Sequence, residues 1–406
     1  MLVDLSVEQA DALKNSELLE VRPEFDRWRV LPRGKVGSLR LYDGVQIDVL
    51  PKDRVGLSRV LFLLGYANDP GFRDRSVGFD AQDDLWPAMA ESLARFTRGA
   101  LAAGVLQGYV STDEALRTVR GRIRIADQLA RRPGRMIPIE VSYDDYTVDI
   151  AENQILRTAL RRMLAVPGID GDSRSRLAHM DSLLEGVRLL TPRERRPSWR
   201  PGRLNARYVP ALRLAELVLD HMSVEMGKVG VEGVAFAVDM AKVFEDFVGT
   251  ALTEALAFRP GFTQPQYPSR LDEPSGNDPA ISMYVDVVHV VDGNRPSLVF
   301  DAKYKAAGPT GQYPNADHYQ MLAYSTALST KRAWLVYAGS GSERTRKVIN
   351  TDKRIIEFPL DLSLPPAALL RRVQELADSA WIATAEDRDP GTNGERRRQS
   401  RKPLLG

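Results

Sequence analysis

Two apolar runs at 282–291 and 297–304, S-M-Y-V-D-V-V-H-V-V and S-L-V-F-D-A-K-Y, constrain this chain more than any other feature. They flank Asp292-Gly293-Asn294, and runs rich in Val, Tyr and Phe around such a turn predict a β-hairpin. Asp286, Asp301 and Lys303 interrupt them. Successive strand residues face opposite ways, so Asp301 and Lys303 project together while Phe300 and Ala302 point the other way. With the turn centred between Gly293 and Asn294, Asp286 falls directly opposite Asp301. Carboxylates opposed across two strands repel. A carboxylate pair flanked by a lysine suggests a bound cation, the divalent-metal nuclease constellation.

The residue types suit that chemistry. Mg²⁺, with Mn²⁺ as the alternative, takes oxygen ligands and keeps several waters, so one or two carboxylates plus substrate phosphate oxygens can hold it. The metal polarises a phosphodiester and helps to generate hydroxide from a bound water. Lys303 can orient that water and stabilise charge developing in the transition state. An ordinary Asp–Lys pair on a half-buried strand accounts for most lone D-x-K patterns, so the surroundings decide.

Upstream, 239–258 has helical periodicity in Phe244, Phe247, Val248, Ala251, Leu252, Ala255 and Leu256, with Glu245 at the edge of the apolar face. Downstream, 317–328 is helix-like and sets Gln320 and Tyr324 one turn apart, and 331–337 reads as a further strand. The order is a helix with Glu245, a hairpin with Asp286 and D-x-K, a helix with Q-x-x-x-Y, then a strand. This order resembles the core of the PD-(D/E)xK nuclease superfamily, and its RecB-like branch in the Q-x-x-x-Y feature. Val285 replaces the proline that commonly precedes the first aspartate. M-x-x-x-F-E-x-F-V at 240–248, D-A-K-Y-K at 301–305 and Y-Q-M-L-A-Y at 319–324 together resemble the McrC family, the nuclease subunit of the McrBC modification-dependent restriction system. The resemblance continues through L-Y-D-G-V-Q-I-D-V-L-P-K at 41–52, L-L-G-Y-A at 63–67 and L-R-T-V-R-G-R-I at 116–123. Y-D-D-Y-T-V-D-I-A-E-N-Q-I-L at 143–156 and L-N-A-R-Y-V-P-A-L at 204–212 extend it to nearly the whole chain.

The resemblance implies a Mg²⁺-dependent endonuclease with Asp286, Asp301 and Glu245 as metal ligands. Lys303, Gln320 and Tyr324 complete the catalytic set. It also implies a hexameric McrB-like AAA+ partner that hydrolyses GTP and recognises modified, 5-methylcytosine-type double-stranded DNA. The N-terminal part would dock on that partner and stimulate it, with cleavage following translocation. The chain itself has no G-x-x-x-x-G-K-[ST] loop and is expected to bind no nucleotide. Two other readings stand beside this one: a non-nucleolytic activator of an AAA+ partner, and a free-standing RecB-like repair exonuclease.

Composition is that of an ordinary globular protein, 43% hydrophobic and 27% charged, and a net charge of +2 is too small to argue for DNA by itself. With no cysteine, disulfides and thiolate metal sites are excluded. Residues 1–20 carry five acidic groups and no apolar core, which reads against a signal peptide. No apolar run is long enough for a membrane span, so the expected compartment is the cytoplasm. Basic charge is clustered in two places. Arg117, Arg120, Arg122, Arg124, Arg131, Arg132 and Arg135 form one cluster; Arg193, Arg195, Arg196, Arg200, Arg203 and Arg207 around Trp199 form another. Either cluster could meet phosphate or partner groups, Arg117, Arg120, Arg122 and Arg124 foremost, or could be a solvated face. His289 and His318 read as structural.

The expected fold class is α/β: an α+β N-terminal part plus a C-terminal restriction-endonuclease-like core with a mixed sheet flanked by helices. The expected organisation is an α+β partner-binding region at 1–130, a mostly helical linker region at 131–230, a nuclease domain at 231–385 and a disordered basic tail at 386–406. Helices are expected at 57–66, 86–103, 151–164 and 207–226, short strands at 27–31, 38–41 and 45–50, and a loop at 191–202.

Overall fold

Short strands and amphipathic helices alternate in a computed structural model that describes residues 1–16, 18–51, 56–68, 70, 85–191, 194–226, 232–274, 278–291, 295–304 and 315–388. The first elements are β1 (Leu2–Val3), α1 (Val7–Asn15), β2 (Leu19–Glu24), β3 (Arg27–Pro32), β4 (Val36–Leu41), β5 (Gln46–Val49), α2 (Leu57–Asn68) and α3 (Leu85–Leu101). Next come β6 (Gly108–Leu116), β7 (Arg122–Ile123), α4 (Ile125–Arg131), β8 (Ile139–Thr147), α5 (Ala151–Leu164), α6 (Gly171–Leu183), α7 (Val209–His221), β9 (Met222–Met226) and β10 (Glu232–Val238). The rest is α8 (Met240–Ala255), β11 (Phe262–Arg270), β12 (Ser282–Val291), β13 (Arg295–Lys303), α9 (Asn315–Ala327), β14 (Arg332–Ala338), β15 (Arg344–Lys347), β16 (Arg354–Leu360) and α10 (Pro366–Arg388). The fold is mixed α/β.

The chain forms two compact units. One comprises Met1–Leu31, Ser38–Ile47 and Asp83–Ala237; the other comprises Pro32–Gly37, Asp48–Gln82 and Val238–Gly406. Sequence positions 1–130 therefore contribute to both. In the first unit, α3, α5, α6 and α7 pack together. Trp86 is fully buried at their centre, its indole N–H satisfied by Ser38 Oγ at 2.9 Å. A separate three-stranded sheet, β6-β8-β7, holds Arg122 of the first arginine cluster, whose other members lie between β6 and β8.

The expected helix at 207–226 is shorter than its apolar periodicity suggests. It ends at His221, and Met222–Met226 become β9, paired antiparallel with β10 from Met222↔Phe236 to Met226↔Glu232. An available strand edge outweighs helical periodicity there. Helix α5 occupies 151–164 as expected, and 194–202 lacks regular structure. The expected basic tail and the 292–294 turn lie outside the described residues.

The second unit is built on a six-stranded sheet of order β11-β12-β13-β14-β16-β15. β11, β12 and β13 run antiparallel, β13, β14 and β16 parallel, and β15 antiparallel to β16. The parallel β13–β14 step needs a crossover, and α9 supplies it. On one face, Met321 and Tyr324 of α9 and Leu328 just after it pack with Val288, Val299, Leu335 and Ile355. Helix α8 lies against β11, β12 and β13, and its Asp239 N-cap accepts from Ala241 N–H at 2.9 Å. α2 is held to α8 by Phe62, Tyr66 and Phe247, whose ring centroids lie 5.4–6.1 Å apart. Tyr66 Oη also donates to Glu254, and Thr250 Oγ1 to Ala67 O at 2.9 Å.

Gly261 connects α8 to β11 at a φ of +103°, and a Cβ there would collide with the Val290 carbonyl. Gly261→Ala is therefore expected to destabilise the sheet by more than the roughly 1–3 kcal/mol of the left-handed backbone alone. Gly99→Ala, in the interior of α3 with open space around it, should be neutral or stabilising by up to about 1 kcal/mol. Denaturant unfolding of the two variants, followed by circular dichroism, measures both.

A candidate active site in the C-terminal sheet

The hairpin forms, and its register depends on a bulge. Val291 pairs with Arg295 and Val290 with Pro296, a register that would set Asp286 against Phe300 if it continued. An irregularity between His289 and Val290 shifts the pairing by one, so that His289 meets Leu298 and Val287 meets Phe300. The next position sets Asp286 against Asp301. The sequence reached this pairing by assuming a turn centre that differs from the one the flanking pairs define.

Asp301 lies inside an apolar strand and is 0% exposed; Asp286 is 9% exposed. Lys303 Nζ lies 2.6 Å from Asp301 Oδ2 and 3.9 Å from Asp286 Oδ2. The backbone N–H of Ala302 donates to Asp286 Oδ2 at 2.8 Å. Neither oxygen of Asp301 accepts an aligned hydrogen bond among the described residues; the contact with Lys303 is an ion pair of poor hydrogen-bond angle. Burial, then the charge of Asp286, pushes the Asp301 carboxyl up to about 7 against the pull of Lys303. Asp286 is raised as well, by burial, with Lys303 and the Ala302 amide opposing. Burial works against the Lys303 ammonium, but the two aspartates outweigh it and raise its pKa. At neutral pH the lysine is a fixed positive charge.

Helix α9 brings Tyr324 and Gln320 to this group. Gln320 Nε2 donates to Tyr324 Oη at 2.6 Å, and Tyr324 Oη donates to Tyr284 O at 2.9 Å. Burial and the nearby Asp301 charge raise the Tyr324 phenol. Glu245 stands at the margin: burial, then the Asp286 charge, raises its carboxyl. Among the described residues, no three His, Asp or Glu side chains converge closely enough to hold a metal. Asp286 and Asp301 are thus brought together directly, and Glu245 within reach of Asp286's field. His289 is buried between Thr263 Oγ1 and Pro260 O, each at 2.9 Å, and His318 Nε2 meets Glu357 Oε1 at 2.7 Å.

Two residues near the pair were not singled out from sequence. Asp317, buried on α9, contributes to the raised state of Asp301. Gln266, on β11, donates to Glu245. Nothing in T-Q-P-Q-Y-P marks the second glutamine; its place follows from strand pairing alone.

The arginine clusters belong to the first unit, and several of their members are engaged within it. Arg120 Nη2 donates to Asp145 at 2.7 Å with its guanidinium 4.0 Å from the Tyr143 ring centroid, and Arg124 pairs with Asp113 at 3.2 Å and with Asp127. Arg132 pairs with Glu140 at 3.1 Å. Arg117 and Arg122 are exposed with no ion pair among the described residues. In the second cluster, Arg196 pairs with Asp220 at 2.5 Å and Arg207 donates to Gly104 O at 2.9 Å. No helix among the described residues is long and apolar enough to cross a membrane.

Residues 31–338 match the family model described as "McrBC 5-methylcytosine restriction system component". The chain belongs to that family. Among solved structures, this McrBC family member resembles a chain of the Thermococcus gammatolerans half-complex of McrB AAA+ hexamers with bound McrC. The TM-score is 0.55 at 17% identity, over 93% of this chain and 90% of that one. At this identity the likeness is one of fold. A second match, in the Thermococcus gammatolerans McrBC complex, has a TM-score of 0.38 at 20% identity, over 64% of this chain and 78% of that one. No curated protein matches the chain.

The raised Asp301 carboxyl makes a pH prediction with a definite sign. An unfolded Asp ionises near 3.8 whereas folded Asp301 does so near 7, so between these values the folded state holds a proton that the unfolded state has released. The stability associated with that proton is complete below about 4 and lost as pH rises through 7. Asp301→Asn keeps the group neutral, so it should raise the melting temperature in chelator by on the order of 4 °C at pH 8. At pH 4 it should change little. Calorimetry at the two pH values measures the difference.

Proposed function

We propose that this chain is the metal-dependent DNA endonuclease subunit of a McrBC-like restriction complex. The observation that carries the proposal is the buried Asp286–Asp301–Lys303 group in a member of the McrBC family. Two carboxylates on adjacent strands, one with both oxygens lacking aligned donors, suit a hard divalent cation. We assign Asp286 and Asp301 as ligands of Mg²⁺ or Mn²⁺, with Glu245 completing the shell through water, in the manner of the PD-(D/E)xK superfamily. When bound, the metal would polarise the scissile phosphate and lower the pKa of a bound water.

The chain's own residues do the remaining work. Lys303, held cationic by its aspartates, orients the attacking water and neutralises charge gathering on the phosphoryl oxygens. Tyr324, fixed by Gln320 and by the Tyr284 carbonyl, closes the α9 side of the site next to Asp301 and Lys303. Hydrolysis forms a bond from the water oxygen to phosphorus and breaks the opposite P–O bond.

The fold likeness to McrC bound to McrB AAA+ hexamers supports docking of this chain on an McrB-like AAA+ GTPase hexamer, which it stimulates. Recognition of 5-methylcytosine-type DNA belongs to that partner in this scheme, and cleavage follows translocation in the cytoplasm. Arg117 and Arg122, unlike Arg120 and Arg124, are free to stabilise phosphoryl-transfer charge or to hold partner residues. One observation favours an activator without nuclease chemistry: three potential ligands do not converge among the described residues.

The same assay separates the two readings. With partner, nucleotide and methylated duplex DNA, cleavage should require Mg²⁺ or Mn²⁺, stop in chelator and proceed poorly with Zn²⁺. Asp301→Ala should abolish cleavage yet stimulate the partner's phosphate release as the wild type does. Loss of charge at Arg117 and Arg122 should reduce that stimulation several-fold. Wild-type cleavage by Asp301→Ala would refute the nuclease assignment.

A further inference from the structure

The structure assigns a positioning role to Gln266: from the strand position opposite Asp286, its carboxamide holds Glu245 at the edge of the sheet beside the Asp286–Asp301 pair and so completes the cation site. This rests on the nuclease reading above. The need for such a tie comes from the two faces of the sheet. A Cβ added to Gly249, one turn beyond Glu245 on α8, would lie 3.7 Å from Val287 Cγ2 and 3.9 Å from Pro265 Cβ. Val287 and Asp286 are adjacent in a strand and face opposite ways. The residues two further along, Val288 beyond Asp286 and Val299 before Asp301, pack with Met321 and Tyr324 of α9. Glu245 thus comes from a helix on the far face, and it reaches the aspartates around β11, the edge strand.

Gln266 occupies that edge. Pro265 pairs with Val287 and Tyr267 with Val285, which sets Gln266 opposite Asp286. Its φ is +48°, the left-handed region that side chains other than Gly, Asn and Asp seldom enter. The side chain donates from Nε2 to Glu245 Oε1. Ionised carboxylates only accept, so the amide nitrogen is the end of the residue that can hold Glu245. The residue is exposed, and no apolar packing explains its unusual backbone. A ligand's supporting hydrogen bond usually changes metal affinity by 10- to 100-fold when removed.

The test is Mn²⁺ binding to the full chain without DNA or partner, read from the free-Mn²⁺ electron paramagnetic resonance signal. Melting temperature is measured in parallel, and cleavage with partner as a function of Mg²⁺. Gln266→Ala and Gln266→Gly should each weaken Mn²⁺ binding about tenfold or more, and the Mg²⁺ concentration for half-maximal cleavage should rise to match. Gln266→Gly should melt no lower than the wild type, because glycine accepts the backbone conformation. A merely structural residue would not lose metal affinity while keeping stability. In a Glu245→Ala background, Gln266→Ala should cause no further loss, since the two act through one contact. Wild-type Mn²⁺ affinity in both Gln266 variants, or losses that add to that of Glu245→Ala, would overturn the inference. Mn²⁺ binding that survives Asp301→Ala unchanged would instead overturn the nuclease reading on which it stands.

Discussion

Two carboxylates and an ammonium share a space that the rest of the sheet fills with Val, Leu and Phe, and the C-terminal unit is arranged around that fact. Burying a carboxylate is unfavourable by several kcal/mol unless charge and hydrogen bonds compensate. Asp286 obtains the Ala302 amide, whereas Asp301 obtains only the oblique lysine. Apolar packing on both sides of β13 holds the strand in place, so the sheet tolerates a group that by itself works against folding. Departures of this kind from local consistency concentrate at functional sites.

Topology then decides what surrounds the pair. The parallel step from β13 to β14 forces a crossover, and α9 in that crossover carries Gln320 and Tyr324 over the end of β13 where Asp301 and Lys303 lie. The antiparallel steps at β11 and β12 leave an edge strand near the same end, with Gln266 on it. One site thus draws on the crossover, the hairpin and the edge. The clustered arginines of the first unit follow a different logic. Arg120, Arg124, Arg131, Arg132 and Arg196 neutralise neighbouring Asp and Glu side chains, so part of the high local density of arginine there is internal pairing.

Much of this was readable from residue order. The strand runs, the D-x-K spacing, the helix around Glu245 and the Q-x-x-x-Y spacing depend on periodicities of 2 and 3.6, which local backbone geometry imposes. For the same reason 151–164 reads directly as a helix. Where a segment's state depended on a distant partner, the sequence was ambiguous. Met222–Met226 carries on the helical periodicity of α7, yet it forms a strand because β10 offers an edge. The pairing of Asp286 with Asp301 is a similar case: composition indicates a hairpin, but a bulge between His289 and Val290 sets which residues face each other.

The sequence by itself determined which side chains could do chemistry, because the apolar runs admit few ionisable residues and strand alternation puts Asp301 and Lys303 on one face. Tertiary structure alone decided how those groups feel one another. Burial raises the Asp301 carboxyl to about 7, and a left-handed residue on an edge strand donates to Glu245. Fold also separated engaged arginines from free ones. Such outcomes depend on distances between residues far apart in the chain, and on the removal of water between them, neither of which local sequence encodes.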